Sequence, residues 1–506
     1  MVERNSRRWW ALGAISLAIL AITLDITVLT VALPTLAVAL KASESQLQWF
    51  VTAYTLALVA GMLPAGLFGD RFGRKTMMAV ALVLFTAGSI ACATAPGPAF
   101  FIVARIVVAL AGAVITVVAL STFPVLFSEE ERPRAVGIWS AANFIGLPLG
   151  PILGGWLLSH VWWGWIFLMN VPVTLLALAA VLLLVPESRA AEAPRFDGVG
   201  ILLSSVGLVA LMYGVTEAGN SGWGSASAIL PALAGLAVLG WFGLWERRLA
   251  SAPGGHPLVD LTLFRSRSFT WGVLLTAFGA LGLFGVMFGL PQYVQAVMGL
   301  GPQASGIRLL PLVVGLIVGA VPSDRVAARI GAKLTVAAGF LVIAAGSALG
   351  TSMTVGSSGF FVVAWTFVVG AGSGLGFSTA ASAALVELSS ERSGVGSALL
   401  QAVIKLGPAF GASILGSVLN STYQHGLNLT GLPGTVASAV KGSVFAGITV
   451  ARQLGSPTLL ASVRTAFVGG MDHSVAVAAG IAVVGVLLAL VFMPSRRHSA
   501  AGQSQV

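Results

Sequence analysis

The sequence predicts an all-α integral membrane protein with fourteen transmembrane helices, and three observations support this fold class. The chain has 506 residues, of which 57% are hydrophobic and only 9% are charged, and its mean hydropathy is +0.96. A soluble domain carries about 25% charged residues, so these few charges cannot cover a soluble surface of this size. Long apolar runs also recur along the chain, and Lys and Arg concentrate in alternate connections between them.

Each spanning helix needs roughly 20 predominantly apolar residues, and fourteen segments meet this requirement. The N-terminal stretch MVERNSRRWW leads into the first segment without a small-residue cleavage site, so we expect a retained helix rather than a signal peptide. Segments 7 and 8 are the weakest. The segments lie near 11–34, 48–69, 76–95, 99–123, 134–159, 163–185, 197–216, 228–246, 269–291, 304–322, 333–351, 359–381, 394–420 and 473–493.

The charge distribution predicts the orientation. An even number of spans places both termini on one side, and with the termini inside, 20 of the 27 Lys and Arg residues fall in inside loops and four in outside loops. Cytoplasmic loops carry such an excess. We therefore expect a multi-pass plasma-membrane protein with both termini in the cytoplasm, and we assign the net charge of +10 to its loops and not to nucleic-acid binding. The outside loop at about 421–472 contains ASAVKGSVFAGITVARQL, which forms either a surface amphipathic helix or an irregular loop.

An ordered motif, GLFGDRFGRK, occupies residues 66–75 between segments 2 and 3. Its glycines permit a tight turn, its basic residues hold the loop on the cytoplasmic side, and we expect Asp70 to accept hydrogen bonds from helix-end amides. The motif positions are Gly66, Asp70, Arg71, Gly73 and Arg74. A degenerate copy, SDRVAARIGAK at 323–333, lies between segments 10 and 11, which indicates a repeated half.

Segment 5 contains GLPLGPILGG, residues 146–155. Glycines at near four-residue spacing share a helix face and permit close contact with another helix, while the prolines loosen the helix locally. Generic small-residue packing is the alternative interpretation. The motif positions are Gly146, Gly150, Pro151, Gly154 and Gly155.

The loop motif resembles the signature loop of the major facilitator superfamily, and GLPLGPILGG resembles the glycine–proline motif of its exporter members. Three further stretches, LDITVLTVALP, WIFLMNVP and HPLVDLTLFRSRSF, resemble the fourteen-helix drug:proton antiporter group. Two departures stand out. Thr30 replaces a frequent Asn, and Arg105 is followed by Val108 and Ala109 where the group has Gln and Gly.

This resemblance implies a major-facilitator fold, with two six-helix bundles and two additional central helices. We expect the N-terminal bundle at 1–190, the additional helices and a cytoplasmic linker at 191–268, and the C-terminal bundle, with its long extracellular loop, at 269–506.

Asp25 and Arg105 are ionisable residues inside apolar segments, where such groups are functional candidates. Asp25 lies about nine residues before Pro34, or roughly 13 Å, and Arg105 lies about five residues into its segment, or roughly 8 Å. The depths differ by about 5 Å, so the two side chains can pair. A static ion pair and a titrating carboxylate both fit. The resemblance implies the second, in which inward proton flow through Asp25 and Arg105 drives outward drug flow.

We expect a substrate cavity near the midplane between the two halves. Each candidate lining residue could instead face lipid or pack inside a bundle. The candidates are Trp49, Tyr54, Asn143, Phe144, Met287, Phe288, Gln292, Tyr293 and Gln401. Few acidic residues besides Asp25 lie deep in the membrane, because Glu217 and Glu387 are near segment ends. A hydrophobic or monocationic substrate is therefore consistent with the sequence. Arg308 either reaches the outer surface or has a role inside, and Lys405 is either an interior polar anchor or near a later helix start.

The sequence therefore predicts a secondary active exporter of drugs or antibiotics in exchange for protons, working by alternating access as a monomer surrounded by lipid. An exporter of a lipid or endogenous metabolite and an importer of the same fold are the alternatives. No GxxxxGK[ST], HExxH or GxSxG motif occurs, and one cysteine, Cys92, permits no intrachain disulfide. We expect no enzyme activity, no metal site and no cofactor other than protons as the coupling ion.

Overall fold

The computed structural model of the protein describes residues 2–42, 44–128, 130–189, 197–252, 259, 261–386 and 393–494. The secondary structure of these residues is helical, without strands. Fourteen helical stretches within them are long and apolar enough to cross a membrane, which confirms the predicted fold class and number of spans. Glu387, residues 256–258 and 260 of the predicted 256–269 motif, and the C-terminal arginines lie outside the described residues.

The helices fall into three groups along the chain. The first group is α1 (Val2–Ala39), α2 (Glu44–Phe72), α3 (Arg74–Ala93), α4 (Pro98–Leu126), α5 (Arg132–His160), α6 (Trp165–Leu168) and α7 (Asn170–Leu184). The second is the pair α8 (Gly198–Ser221) and α9 (Ala226–Ser251). The third is α10 (Arg267–Gln292), α11 (Pro302–Ala320), α12 (Ser323–Ile330), α13 (Ala332–Gly350), α14 (Gly359–Val386), α15 (Ser393–Gly426), α16 (Gly434–Gly442), α17 (Val444–Gln453) and α18 (Pro457–Phe492).

Local chemistry sets many of the helix ends. The Asp197 carboxylate accepts a hydrogen bond from the Gly200 amide at 2.9 Å and caps α8, as N-cap carboxylates do. Between α2 and α3, and again between α12 and α13, a glycine with positive φ turns the chain: Gly73 has φ 102° and Gly331 has φ 87°. The two loops with related motifs therefore also share a backbone conformation.

The first and third groups repeat the same packing pairs. In the first group α1 packs on α5 and α7, α2 on α4, and α3 on α4 and α7. In the third group α10 packs on α15 and α18, α11 on α14, and α13 on α14 and α18. The two groups meet through α2 with α15 and α5 with α11. The fold thus consists of two six-helix halves with equivalent pairings, and the halves meet along two seams.

The pair α8 and α9 lies at one of these seams. Helix α8 packs on α9, and its other contacts are with α2 of the first half and α15 of the second. The Ser205 hydroxyl donates to the Ala60 carbonyl of α2 at 2.9 Å, and the Ser413 hydroxyl of α15 donates to the Val215 carbonyl at 2.6 Å. Helix α8 is therefore hydrogen-bonded to both halves.

Ionic contacts place several connections at one end of the bundle. Arg8 in α1 donates to the Glu131 carboxylate between α4 and α5 at 2.7 Å, and Glu187 after α7 accepts from Lys75 and Thr76 at the start of α3. We call this end the basic side, because the α2–α3 and α4–α5 connections also carry arginines there. The α1–α2 and α3–α4 connections lie at the opposite side.

The structure corrects one sequence expectation and decides between the two alternatives left for the long loop. The last span begins at Pro457, not near 473, so the long loop is shorter than predicted. Within it α16 and α17 are helical, and α17 buries Val444, Ile448 and Ala451; this face packs on α18, so it is a folded cap rather than an irregular loop. The predicted sixth segment is one apolar span, Trp165–Leu184, within which α6 ends at Leu168 and α7 begins at Asn170.

Candidate functional site

A buried charge cluster forms where four helices of the first half converge. An Arg105 Nη1 atom of α4 donates to Asp25 Oδ2 of α1 at 2.5 Å, and both residues are only 1% exposed. The Asn170 side-chain amide, at the start of α7, donates to Asp25 Oδ1 at 3.1 Å. The sequence depths predicted the Asp25–Arg105 contact, while Asn170 was missed, although it lies in the WIFLMNVP stretch.

Tyr54 of α2 completes the cluster. The Arg105 guanidinium carbon lies over its ring, 4.1 Å from the centroid, in the position of a cation–π contact. The Tyr54 hydroxyl is buried and has no hydrogen-bond partner among the described residues. The tyrosine therefore holds Arg105 with its ring face and leaves its polar end available.

A cavity of about 730 Å³ lies between the two halves, within the size range of small-molecule sites. Its wall comes from α1, α2, α4 and α5 of the first half, α10, α14, α15 and α18 of the second, and α8 between them. Residues 442–444 of the α16–α17 segment close it towards the opposite side. Tyr54 lines this cavity, whereas Asp25 and Arg105 are not among its lining residues. Tyr54 is thus the contact between the cavity and the ion pair.

The structure brings six of the nine predicted lining residues to this cavity. They are Tyr54, Asn143, Phe144, Phe288, Gln292 and Gln401. The other three lie elsewhere: Trp49 is 46% exposed on α2, Met287 packs into the apolar core of the second half, and the buried Tyr293 donates its hydroxyl to the Thr354 carbonyl at 2.8 Å. These three do not line this cavity, because periodicity alone does not fix which face of each helix points inward.

Helix α8 was not expected to line the cavity, since its segment gave one of the weakest sequence signals. It contributes Met212, Thr216 and Gly219. Its position at the seam between α2 and α15 explains this contribution. The additional pair is therefore part of the site's wall.

The motif loop between α2 and α3 is held by two carboxylates. Arg74 donates to Asp70 at 2.8 Å, and both side chains are buried. The sequence predicted a helix-end role for Asp70, and the structure adds a second carboxylate at the start of α3: Glu187 accepts from the Lys75 and Thr76 amides at 3.1 Å each. A Cβ at Gly73 would collide with Glu187. Gly66 and Arg71 also lie in the last turns of α2.

The glycines of α5 permit its close approach to α1. A Cβ on Gly146 would lie 2.7 Å from the Thr23 Cβ, one on Gly150 would overlap Thr27, and one on Gly154 would lie 3.2 Å from a Val28 methyl group. Gly155 faces Gln303 of α11 instead, with ordinary contact distances. Pro151 lies within the same stretch of α5, which remains helical. Three of the four glycines therefore share one packing role.

The two other charged residues singled out in the sequence lie in different environments. Arg308 packs against Gly359 at the start of α14, towards the opposite side. Lys405 lies well inside α15 and lines the cavity, so it is not at a helix start.

Two halves with equivalent packing, a cavity between them and a buried ion pair beside it are features of a membrane transporter built from repeated halves. The chain belongs to the Major Facilitator Superfamily, which it matches over residues 15–412. It is therefore a transporter and not an enzyme.

Relatives with assigned roles cover almost the whole chain. The tetracenomycin C resistance and export protein of Streptomyces glaucescens is 31% identical over 96% of this chain and 92% of its own length. The multidrug efflux pump LfrA of Mycolicibacterium smegmatis is 30% identical over 95% of this chain and 96% of its own length. The solved structure of the proton:xylose symporter XylE bound to 6-bromo-6-deoxy-D-glucose superimposes with a TM-score of 0.62 at 16% identity, covering 97% of both chains. That likeness concerns the fold alone.

Proposed function

We propose that the protein exports drugs or antibiotics from the cell in exchange for protons, by alternating access. The observation that carries the proposal is the cavity between the halves with a buried carboxylate next to it, linked through one tyrosine. The relatives named for drug and antibiotic export support the substrate class. The excess of basic residues on the side of the N-terminus supports a plasma-membrane orientation with cytoplasmic termini.

Coupling in this proposal passes through Tyr54. Asp25 is held by Arg105 and Asn170, so it can bind a proton only when the arginine contact loosens. A ligand in the cavity touches the Tyr54 ring that lies against Arg105. Displacing that ring changes the position of the guanidinium and so the proton affinity of Asp25. Substrate and proton then compete indirectly, without the substrate reaching the carboxylate.

The test compares Asp25→Asn with Glu130→Gln, which neutralises an exposed carboxylate outside the site. Cells lacking their own efflux pumps express each variant and are challenged with a panel of antibiotics and dyes, with and without a protonophore. We expect the unaltered chain and Glu130→Gln to lower drug accumulation only while the proton gradient persists. Asp25→Asn should abolish this effect at an unchanged amount of folded protein in the membrane.

Two results would contradict the proposal. Normal gradient-driven export by Asp25→Asn would remove the carboxylate from the coupling mechanism. If cells with the protein accumulate more drug than cells without it, and the protonophore abolishes this increase, the protein is an importer instead.

A further inference from the structure

The cavity contains a lysine that the proposed coupling mechanism does not use. Lys405 lies on the cavity-facing stripe of α15, one turn after Gln401 and one turn before Ala409. Residues four apart lie above one another on a helix, so this spacing directs the three side chains to the same wall.

Lys405 is the one charged residue among the described residues that line the cavity. Within the described part of the chain no carboxylate lies within ion-pair distance of it; the ion pairs there involve Arg8, Arg74 and Arg105. Asp25 is already held by Arg105 behind Tyr54. When Lys405 is protonated, the cavity therefore carries a positive charge that has no carboxylate partner in the described part of the chain.

Such a charge inside a membrane protein is costly unless it has a partner. A ligand with a negative group would supply that partner through a charge-assisted hydrogen bond. A cationic ligand would be repelled at the same position, because Coulomb interactions are strong where little water intervenes.

Aromatic rings from both halves surround the same space. Phe144 of α5 and Phe377 of α14 meet edge to face across the interface of the halves, with centroids 5.9 Å apart. Phe284 and Phe288 of α10 add two more rings to the wall. Rings in this arrangement favour a flat aromatic ligand.

We propose that the cavity binds aromatic compounds that carry a negatively charged group, and that Lys405 pairs with that group and selects against cations. This inference rests on the proposed export function, because it assumes that the cavity is the transport site. It replaces the expectation of a hydrophobic or monocationic substrate, which was based on the scarcity of acidic residues alone.

The test uses three probes with the same ring system: 9-anthracenecarboxylate, 9-anthracenemethanol and 9-anthracenylmethylammonium. Saturable binding to the full chain in lipid nanodiscs is measured from the probe fluorescence. We expect the unaltered chain to bind the carboxylate at least roughly tenfold more tightly than the ammonium compound, as losing a hydrogen bond to a charged group implies.

Variants separate charge from packing. Lys405→Met keeps the side-chain length without the charge and should lose the preference for the carboxylate while still binding the neutral alcohol. Lys405→Arg should keep the preference. Lys441→Met removes an exposed lysine of α16 and should change nothing.

The proposal is wrong if the unaltered chain prefers the ammonium probe, if none of the probes binds saturably, or if Lys405→Met keeps the carboxylate preference. Loss of the neutral probe in Lys405→Met would also overturn it, because the lysine would then be needed for folding or general packing. The two proposals fail separately. Export that depends on Asp25 but is limited to cations contradicts only the role of Lys405, and anion selectivity without gradient-driven export contradicts only the proposed function.

Discussion

Substituting Gly150 by alanine tests whether the glycine motif of α5 acts through packing against α1. The added Cβ would overlap the Thr27 hydroxyl and lie 2.8 Å from the Thr27 Cβ and 3.1 Å from the Val28 backbone nitrogen. Rotating the threonine side chain can move its hydroxyl but not these two atoms. Since non-bonded carbon atoms prefer about 3.5–4.0 Å, the two helices must separate by roughly 1 Å.

Overpacking of this kind costs about 1–3 kcal/mol, and the hydrogen bond from the Thr27 hydroxyl to the Gly146 carbonyl, 3.2 Å long, would weaken as well. The higher helix propensity of alanine offsets up to about 1 kcal/mol of this loss of stability. The distances from an added Cβ to its neighbours also rank the other glycines of the motif by the expected loss of stability. Gly146→Ala meets a threonine at 2.7 Å, Gly154→Ala meets only a valine methyl at 3.2 Å, and Gly155→Ala meets nothing closer than 3.9 Å.

The measurement is the thermal midpoint of each purified variant in detergent, followed by tryptophan fluorescence. We expect the largest decrease for Gly150→Ala, a similar or smaller one for Gly146→Ala, a slight one for Gly154→Ala and none for Gly155→Ala. Drug resistance of cells expressing the variants should follow the same order. Equal decreases at Gly155 and Gly150 would refute the packing argument, because the motif would then act through something other than the α1 contact.

Two further substitutions have matched controls. Gly73→Ala and Gly222→Ala both place a side chain at positive φ, 102° and 89°, which costs about 1–3 kcal/mol. Only the Gly73 substitution also collides with Glu187, so we expect it to lower the thermal midpoint more than Gly222→Ala does. Equal decreases would contradict this role of Glu187. Tyr423→Phe removes the hydroxyl that donates to the Val440 carbonyl at 2.8 Å, and we expect faster hydrogen–deuterium exchange across 434–453 by mass spectrometry. Tyr213→Phe, whose hydroxyl has no hydrogen-bond partner among the described residues, is the control, and unchanged exchange in Tyr423→Phe would show that this bond does not hold the segment.

Hydropathy and charge predicted the fold well because the membrane constrains both. Each span needs an apolar run of similar length, and this requirement produced fourteen segments that correspond to the fourteen observed helical stretches. The error at the last span has a physical cause. Helix α18 begins at Pro457 and includes Arg464, Asp472 and His473, and these charges made its first four turns resemble a loop.

The ion pair was predictable because both members carry a charge that is unusual in an apolar run. Asn170 carries none, so its contact with Asp25 could not be found from hydropathy. Glu187 was missed for another reason: it follows a span in an apparently ordinary loop, and its partner Thr76 is 111 residues away in sequence.

The cavity wall was predicted only in part. Polar and aromatic residues in spans occur on every helix face, and the faces that point inward depend on how each helix is rotated in the bundle. Lys405 shows the limit most clearly. Its depth in the span was visible in the sequence, but its place on the cavity wall, without a carboxylate partner in the described part of the chain, was visible only after folding.

Helix α8 has a mechanical consequence under the proposed alternating access, in which the two halves rock against each other. Its hydrogen bonds to the first half at Ser205 and to the second half at Val215 are separated by about 15 Å along the helix axis. A rigid helix tethered to both bodies at different heights cannot follow both motions, so rocking must tilt it or release one hydroxyl. Each such bond contributes only about 0.5–1.5 kcal/mol. Under that proposal, helix α8 would favour one arrangement of the two halves only weakly, and thermal motion would suffice to reach the other.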